Sequence, residues 1–306
     1  MTAPTVAPPR LRRDDSLPDL SPAALSWRRR LANRGMMIVI AACIVIAIFP
    51  LGLVVFEVVS RGGGVMSWEF LTADIPRNYR RVGPGMGAAV VGTLLITGMA
   101  ALLAIPLGVL GAIYLNEYGK SSPLARFIRT MADVMTGVPS IVMGLFIYVA
   151  WVLVIGEKNG FGGSLALACL MLPIVIRSSE EMLRLVADEL RQASAALGAR
   201  KWRTIVTVVL PSAISGITSG SLLAVARAAG ETAPIIVTVG IIFSPNVDLF
   251  SGGNTTLAAQ IYRNASLTFE GAQERAWGAA LTLIAIVLLF TIIARIIAAR
   301  FALKER

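Results

Sequence analysis

Histidine is absent from this 306-residue sequence, and cysteine occurs only twice, at Cys43 and Cys169. Without imidazole there is no Ser-His nucleophile, no HExxH zinc site and no histidine acid–base chemistry. Both cysteines lie inside apolar runs, where a thiol packs as a small hydrophobe and says nothing about redox compartment. Charge is scarce as well: 15% of residues are Asp, Glu, Lys or Arg, against about 25% in an ordinary soluble domain. A nucleotide-binding loop is also missing. Gly119-Lys120-Ser121 imitates the end of one, but the position five before Gly119 is Tyr114, where the phosphate-binding pattern requires glycine. If ATP drives this protein, another chain must hydrolyse it. There is no Gly-x-Gly-Asp stretch, which together with the missing histidine argues against an intramembrane protease.

Apolar residues are abundant in return. They make up 56% of the chain, and the mean hydropathy is +0.74, more than a water-facing surface permits. They gather in runs of about 20, enough to cross a ~30 Å hydrocarbon layer at 1.5 Å per helical residue. The runs predict spans near 36–59, 86–114, 127–155, 163–177, 205–243 and 276–299. The fold expected is an all-α polytopic membrane bundle of about six helices with no resident cofactor or metal. The fourth run is short and is expected to continue through Arg177 as a helix leaving the membrane. Pro106 is expected to kink the second span. Glycines along the spans (Gly85, Gly87, Gly92, Gly98, Gly216 and Gly220) suit close helix–helix approach.

Residues 1–34, with five prolines and seven arginines, read as a disordered cytoplasmic tail; residues 35–306 form the membrane domain. The segment Ser60-Arg61-Gly62-Gly63-Gly64 after the first run lacks an A-x-A-like end, so that run is read as an uncleaved span rather than a signal peptide. The formal net charge is +10. The basic residues flank apolar runs rather than forming one stripe, which fits topology determinants facing anionic lipid and not a nucleic-acid surface. With the N-terminus inside, 20 of the 28 Lys/Arg fall on the cytoplasmic side, seven fall outside, and Arg227 lies within a span. Both termini are therefore expected in the cytoplasm.

Two stretches carry mechanism. The first is Gln192-Ala193-Ser194-Ala195-Ala196-Leu197-Gly198, with Val208-Val209-Leu210-Pro211 following it. Asp188 to Leu197 favours a short helix with Leu190, Ala193 and Leu197 on one face, ended by Gly198. It is too polar to cross a bilayer, and its small alanines would seat closely in a groove of another protein. An ordinary amphipathic interfacial helix is the plainer alternative. The second is Arg227-Ala228-Ala229-Gly230-Glu231-Thr232-Ala233-Pro234, inside a 39-residue apolar stretch, Ile205 to Phe243. As one helix that stretch would run roughly 58 Å, about twice the hydrocarbon thickness, so it must break, and Gly230 with Pro234 marks the place. Arg227 and Glu231 are four apart and would share a face of a continuing helix. An unpaired arginine at membrane depth costs on the order of 3 kcal/mol, which the glutamate offsets in part. The pair is either a structural stitch or an anion site.

The first stretch resembles the EAA loop of ABC-importer permeases, E-A-A-x3-G-x9-I-x-L-P, departing from it at Gln192, Ser194 and Val208 while keeping the Gly198-to-Pro211 spacing. The second stretch, together with Gly137-Val138-Pro139-Ser140-Ile141-Val142 and Leu172-Pro173-Ile174-Val175-Ile176-Arg177, resembles the PstA-type permease subunit of bacterial phosphate ABC importers over roughly residues 35–303. The resemblance implies a type I ABC-importer permease fold. It implies Arg227, Glu231 and Arg177 in the substrate pathway. It also implies Gln192, Ala193, Ser194, Gly198, Leu210 and Pro211 as ATPase-coupling residues in a cytoplasmic loop, 187–204. The partners implied are a second, PstC-type permease, a dimeric PstB-type ATPase and an extracytoplasmic PstS-type phosphate-binding protein, in a bacterial inner membrane. Inorganic phosphate is then the cargo, with sulfate or molybdate as the alternative. A secondary transporter is the remaining possibility, but it has no use for a docking helix, and no inverted internal repeat is visible.

Overall fold

The computed structural model describes residues 27–80 and 85–301; residues 1–26, most of the expected tail, lie outside them. The chain divides at Val55/Phe56 into two units, taken separately below. Helix α1, Trp27–Gly63, contributes to both. Its first turns carry Arg28, Arg29, Arg30 and Arg34, so the basic cluster is helical. From Met36 to Leu53 its large side chains are exposed, a surface suited to lipid. Transmembrane helices need no polar face, because lipid is as apolar as leucine.

The second unit is helical among the described residues. A short α2, Trp68–Thr72, precedes α3, Gly87–Ile113, whose last turn continues as a π-helical segment, Tyr114–Tyr118. Helices α4, Pro123–Gly137, and α5, Ser140–Ile147, follow, with a π-helical turn Tyr148–Val152 leading into α6, Leu153–Ile155. Next come α7, Gly160–Arg184, α8, Asp188–Ala196, and α9, Lys201–Thr204. A third π-helical segment, Ile205–Val209, joins α9 to α10, Leu210–Ala229. The chain closes with α11, Ala233–Thr238, α12, Leu257–Ala265, and α13, Glu270–Phe301.

Five of these helical stretches are long and apolar enough to cross a membrane: Trp27–Gly63, Gly87–Tyr118, Gly160–Arg184, Lys201–Ala229 and Glu270–Ile293. The third expected span, 127–155, is not one straight helix. It is the pair α4 and α5–α6, bent by 108°, and it makes a sixth span only if the pair is counted as one. Val138 and Pro139 are both extended, with ψ of 129° and 135°. The proline ring disfavours the helical region for the residue before it. Other prolines behave differently: α3 runs on through Pro106 and α7 through Pro173.

The core joins α3, α7 and α10. Ile96, Ala100 and Ala104 of α3 pack with Leu167, Met171 and Val175 of α7 and with Ala224 and Ala228 of α10. Small residues set the spacing. A Cβ on Gly92 would lie 1.9 Å from the Thr255 carbonyl oxygen, and Cβ atoms on Gly216 and Gly220 would strike Met182 and Ser178 of α7. Stability here comes from such close van der Waals contact rather than from removing area from water. Gly98, expected to serve in the same way, has open space around its Cβ position.

Candidate functional site: an arginine–glutamate cleft and a helix at the bundle end

The 39-residue stretch breaks where its glycine and proline predict. Helix α10 ends at Ala229 with Gly230 as its cap, and Pro234 stands in the first turn of α11. The break does not separate Arg227 from Glu231: Nε and Oε1 are 3.7 Å apart. That distance holds two charges in register but is too long for a good hydrogen bond. The Arg227 side chain is 67% exposed and that of Glu231 20%. Both line a cavity of about 200 Å³ together with Met135, Thr136, Val138, Pro139, Ser140, Leu170 and Ile174. At about 30 Å³ per water, it has room for a small hydrated anion.

Three sequence segments far apart in the chain meet at this cavity. The extended Val138-Pro139 corner and Ser140 form one wall. Ile174, from Leu-Pro-Ile-Val-Ile-Arg, forms another, and the Arg227/Glu231 segment forms the third. The hydroxyls of Thr136 and Ser140 are the neutral polar groups of the lining. Of the two, only Ser140 stood in a stretch picked out in the sequence, Gly137-Val138-Pro139-Ser140-Ile141-Val142.

Arg177 is not among the lining residues. It lies three positions after Ile174 on α7, one turn further along the same face. Its guanidinium pairs with Asp133 of α4 and stands 3.7 Å from Glu180, and it donates to the Arg129 carbonyl at 3.2 Å. Glu180 is 1% exposed and is held by Arg129 at 2.7 Å and Arg184 at 2.6 Å. Arg177 thus belongs to an interhelical charge cluster adjoining the cavity. Glu180 and Arg184 follow Arg177 at helical spacing on α7, whereas Arg129 and Asp133 come from α4, and no local rule brings them to it.

The second site is at the bundle end. Helix α8 forms where expected, with Leu190, Ala193 and Leu197 exposed, so the face of small and apolar residues is unoccupied in the isolated chain. Gly198 takes φ +76°, and the amides of Gly198 and Ala199 bond the carbonyls of Ala195 and Ser194, which closes the helix C-terminus. Gln192 is exposed beside Ala193. Ser194 turns inward, its hydroxyl 2.8 Å from that of Thr204. Leu210 and Pro211 do not lie on α8. They open α10, just after the π-helical segment in which the Leu210 amide reaches the Ile205 carbonyl.

A larger cavity, about 460 Å³, lies between α11 and α12; its lining is mostly aliphatic, with Arg263 the one charged residue. No group of three or more Cys, Asp or Glu among the described residues is placed to hold a metal ion.

The class of protein to which this bundle of apolar helices, with its short displayed helix, belongs is the membrane component of a binding-protein-dependent transporter. The family described as "Binding-protein-dependent transport system inner membrane component" matches residues 104–304. Two solved structures share the fold. One is a chain of a bacterial alginate ABC transporter in complex with an alginate pentasaccharide-bound periplasmic protein, with a TM-score of 0.60 at 13% identity over 90% of this chain and 98% of that one. The other comes from the MetNI methionine ABC transporter, with a TM-score of 0.56 at 16% identity over 70% and 93%. Sequence relatives are nearer. The phosphate transport system permease protein PstA 1 of Mycobacterium tuberculosis (strain CDC 1551 / Oshkosh) is 42% identical over 92% of this chain and 93% of its own length. PstA of Mycobacterium leprae is 44% identical over 86% and 87%, and PstA of Yersinia pestis is 38% identical over 95% and 97%. The chain belongs to the PstA family of phosphate transport permeases and is a multi-pass inner-membrane protein.

Proposed function

We propose that this chain is the permease subunit of an ATP-driven importer of inorganic phosphate and forms half of the translocation pathway. The observation that carries the reading is the meeting of three separate segments at one cleft that holds Arg227 and Glu231. A guanidinium is planar and permanently charged, and it matches phosphate oxygens with a two-pronged fork. At 3.7 Å from Glu231, the Arg227 fork is not committed to a close hydrogen bond there. The carboxylate would accept a hydrogen bond from a protonated phosphate and repel fully ionised sulfate. Arg177, one turn further along α7, is the next basic group on the path, and it would trade its Asp133 partner for the passing anion.

The exposed face of α8 is the ATPase contact. Gln192, Ala193 and Gly198 meet the partner, Ser194 holds α8 to α9 through Thr204, and Leu210 and Pro211 set the start of α10 behind it. The remaining partners are a PstC-type permease, a dimeric PstB-type ATPase and a PstS-type phosphate-binding protein on the opposite face. The charge count supports both termini in the cytoplasm, with residues 1–34 as a cytoplasmic tail and loop 187–204 on the same side. A cysteine placed at Arg200 is therefore expected to be shielded from an impermeant thiol reagent in intact cells.

The test is uptake by proteoliposomes containing the assembled complex. ATP-dependent accumulation of phosphate that excess sulfate or molybdate does not suppress is the expected result. Accumulation of sulfate or molybdate instead would overturn the phosphate reading.

A further inference from the structure

Arginine carries five N–H donors, and at Arg191, on the inner side of α8, each has an acceptor. Nε and Nη2 reach Glu117 Oε1 at 3.1 and 3.0 Å, and Nη2 also reaches the Leu183 carbonyl at 2.9 Å. Nη1 reaches the Val186 carbonyl at 2.6 Å and Asp188 Oδ1 at 3.1 Å. The side chain is 15% exposed and its Glu117 partner 6%.

Glu117 belongs to the π-helical segment that ends α3, and Leu183 to the last turn of α7. Asn116 donates to the same Glu117 oxygen at 2.9 Å, and Lys201 of α9 donates to the Glu117 carbonyl while lying 4.8 Å from the Tyr118 ring centroid. Arg129 of α4 reaches the Leu115 carbonyl in the same π-helical segment at 2.8 Å. The buried Arg191–Glu117 pair and the Glu117 backbone carbonyl thus tie together the ends of α3, α7, α8 and α9, while the outer face of α8 stays open.

We infer that Arg191 and Glu117 are positioning residues that lock α8 to the ends of α3 and α7, so that a push on α8 becomes a movement of the helices lining the cleft. This rests on the reading of α8 as the ATPase contact. An uncharged or flexible attachment would let α8 yield to the ATPase without moving the bundle. The lock is rigid because a guanidinium fork fixes direction as well as distance, and because an unpaired buried charge is costly enough to keep the pair closed.

The experiment uses the assembled complex in lipid with the binding protein and phosphate present. It measures the ratio of stimulated to unstimulated ATP hydrolysis, together with a photo-crosslink from position 197 on the outer face of α8 to the ATPase. Arg191→Gln is expected to keep the crosslink and lower the stimulation ratio by about tenfold, within the usual range of coupling between sites. Arg191→Lys, which keeps the charge but not the fork, should recover part of it. Stimulation equal to that of the unaltered complex in Arg191→Gln would overturn the inference. If Arg191→Gln does not assemble, Glu117→Gln carries the test: it keeps shape and an acceptor but removes the charge, and full stimulation there overturns the inference equally. Absence of the crosslink in the unaltered complex would instead remove the contact reading on which the lock depends.

Discussion

Arg227 and Glu231 are four positions apart, and that spacing suggests a helical pair; yet α10 ends at Ala229, between them. Their approach to 3.7 Å therefore comes from the turn at Gly230 rather than from a continuous helix face. The geometry separates two roles. A stitch that only cancels charge accepts any cation, and Arg227→Lys would then be nearly silent. A fork that receives phosphate oxygens does not. Losing one hydrogen bond to a charged group is worth about 1.5–3 kcal/mol, so on the proposed function Arg227→Lys should lower phosphate uptake by roughly tenfold or more. Expression and assembly should stay normal, as checked by uptake normalised to complex in the membrane. Arg177 differs in kind, since it already pairs with Asp133 and lies beside Glu180.

At the scale of elements, α8 joins a closed inner side to an open outer one. Gly198 has open space around its Cβ position but φ +76°, so Gly198→Ala costs backbone strain of about 1–2 kcal/mol, while Gly198→Asn is tolerated. Ala193→Phe acts differently, by overfilling the seat on the partner at about 1–3 kcal/mol. Co-purified ATPase and phosphate-stimulated hydrolysis should fall for Ala193→Phe and stay near normal for Gly198→Asn. Unchanged co-purification and stimulation with Ala193→Phe would mean this face is not the contact. Helix α8 and its glycine stop were legible in the sequence because periodicity and a left-handed glycine are local signals. So was the break at Gly230 and Pro234. The corner at Val138-Pro139 was not: hydropathy runs through it unbroken, and only the rule for residues before proline marks it. Glu117 and Arg191 were also invisible, because their pairing spans 74 positions and no local rule brings a span's end to a loop helix.

For the whole molecule, hydropathy and charge order led to the membrane class, and short motifs led to the family. What they could not supply was convergence, the gathering of Ser140, Ile174 and Arg227 around one cavity. Whether that convergence makes a phosphate site is decided by phosphate uptake in the assembled complex carrying Arg227→Gln together with Glu231→Gln. The double change removes both charges at once, so neither is left without its partner. If the cleft is the phosphate site, the doubly altered complex assembles with its ATPase in normal amount and moves no phosphate. If the pair is only a stitch, the same complex transports normally, and that result would contradict the account.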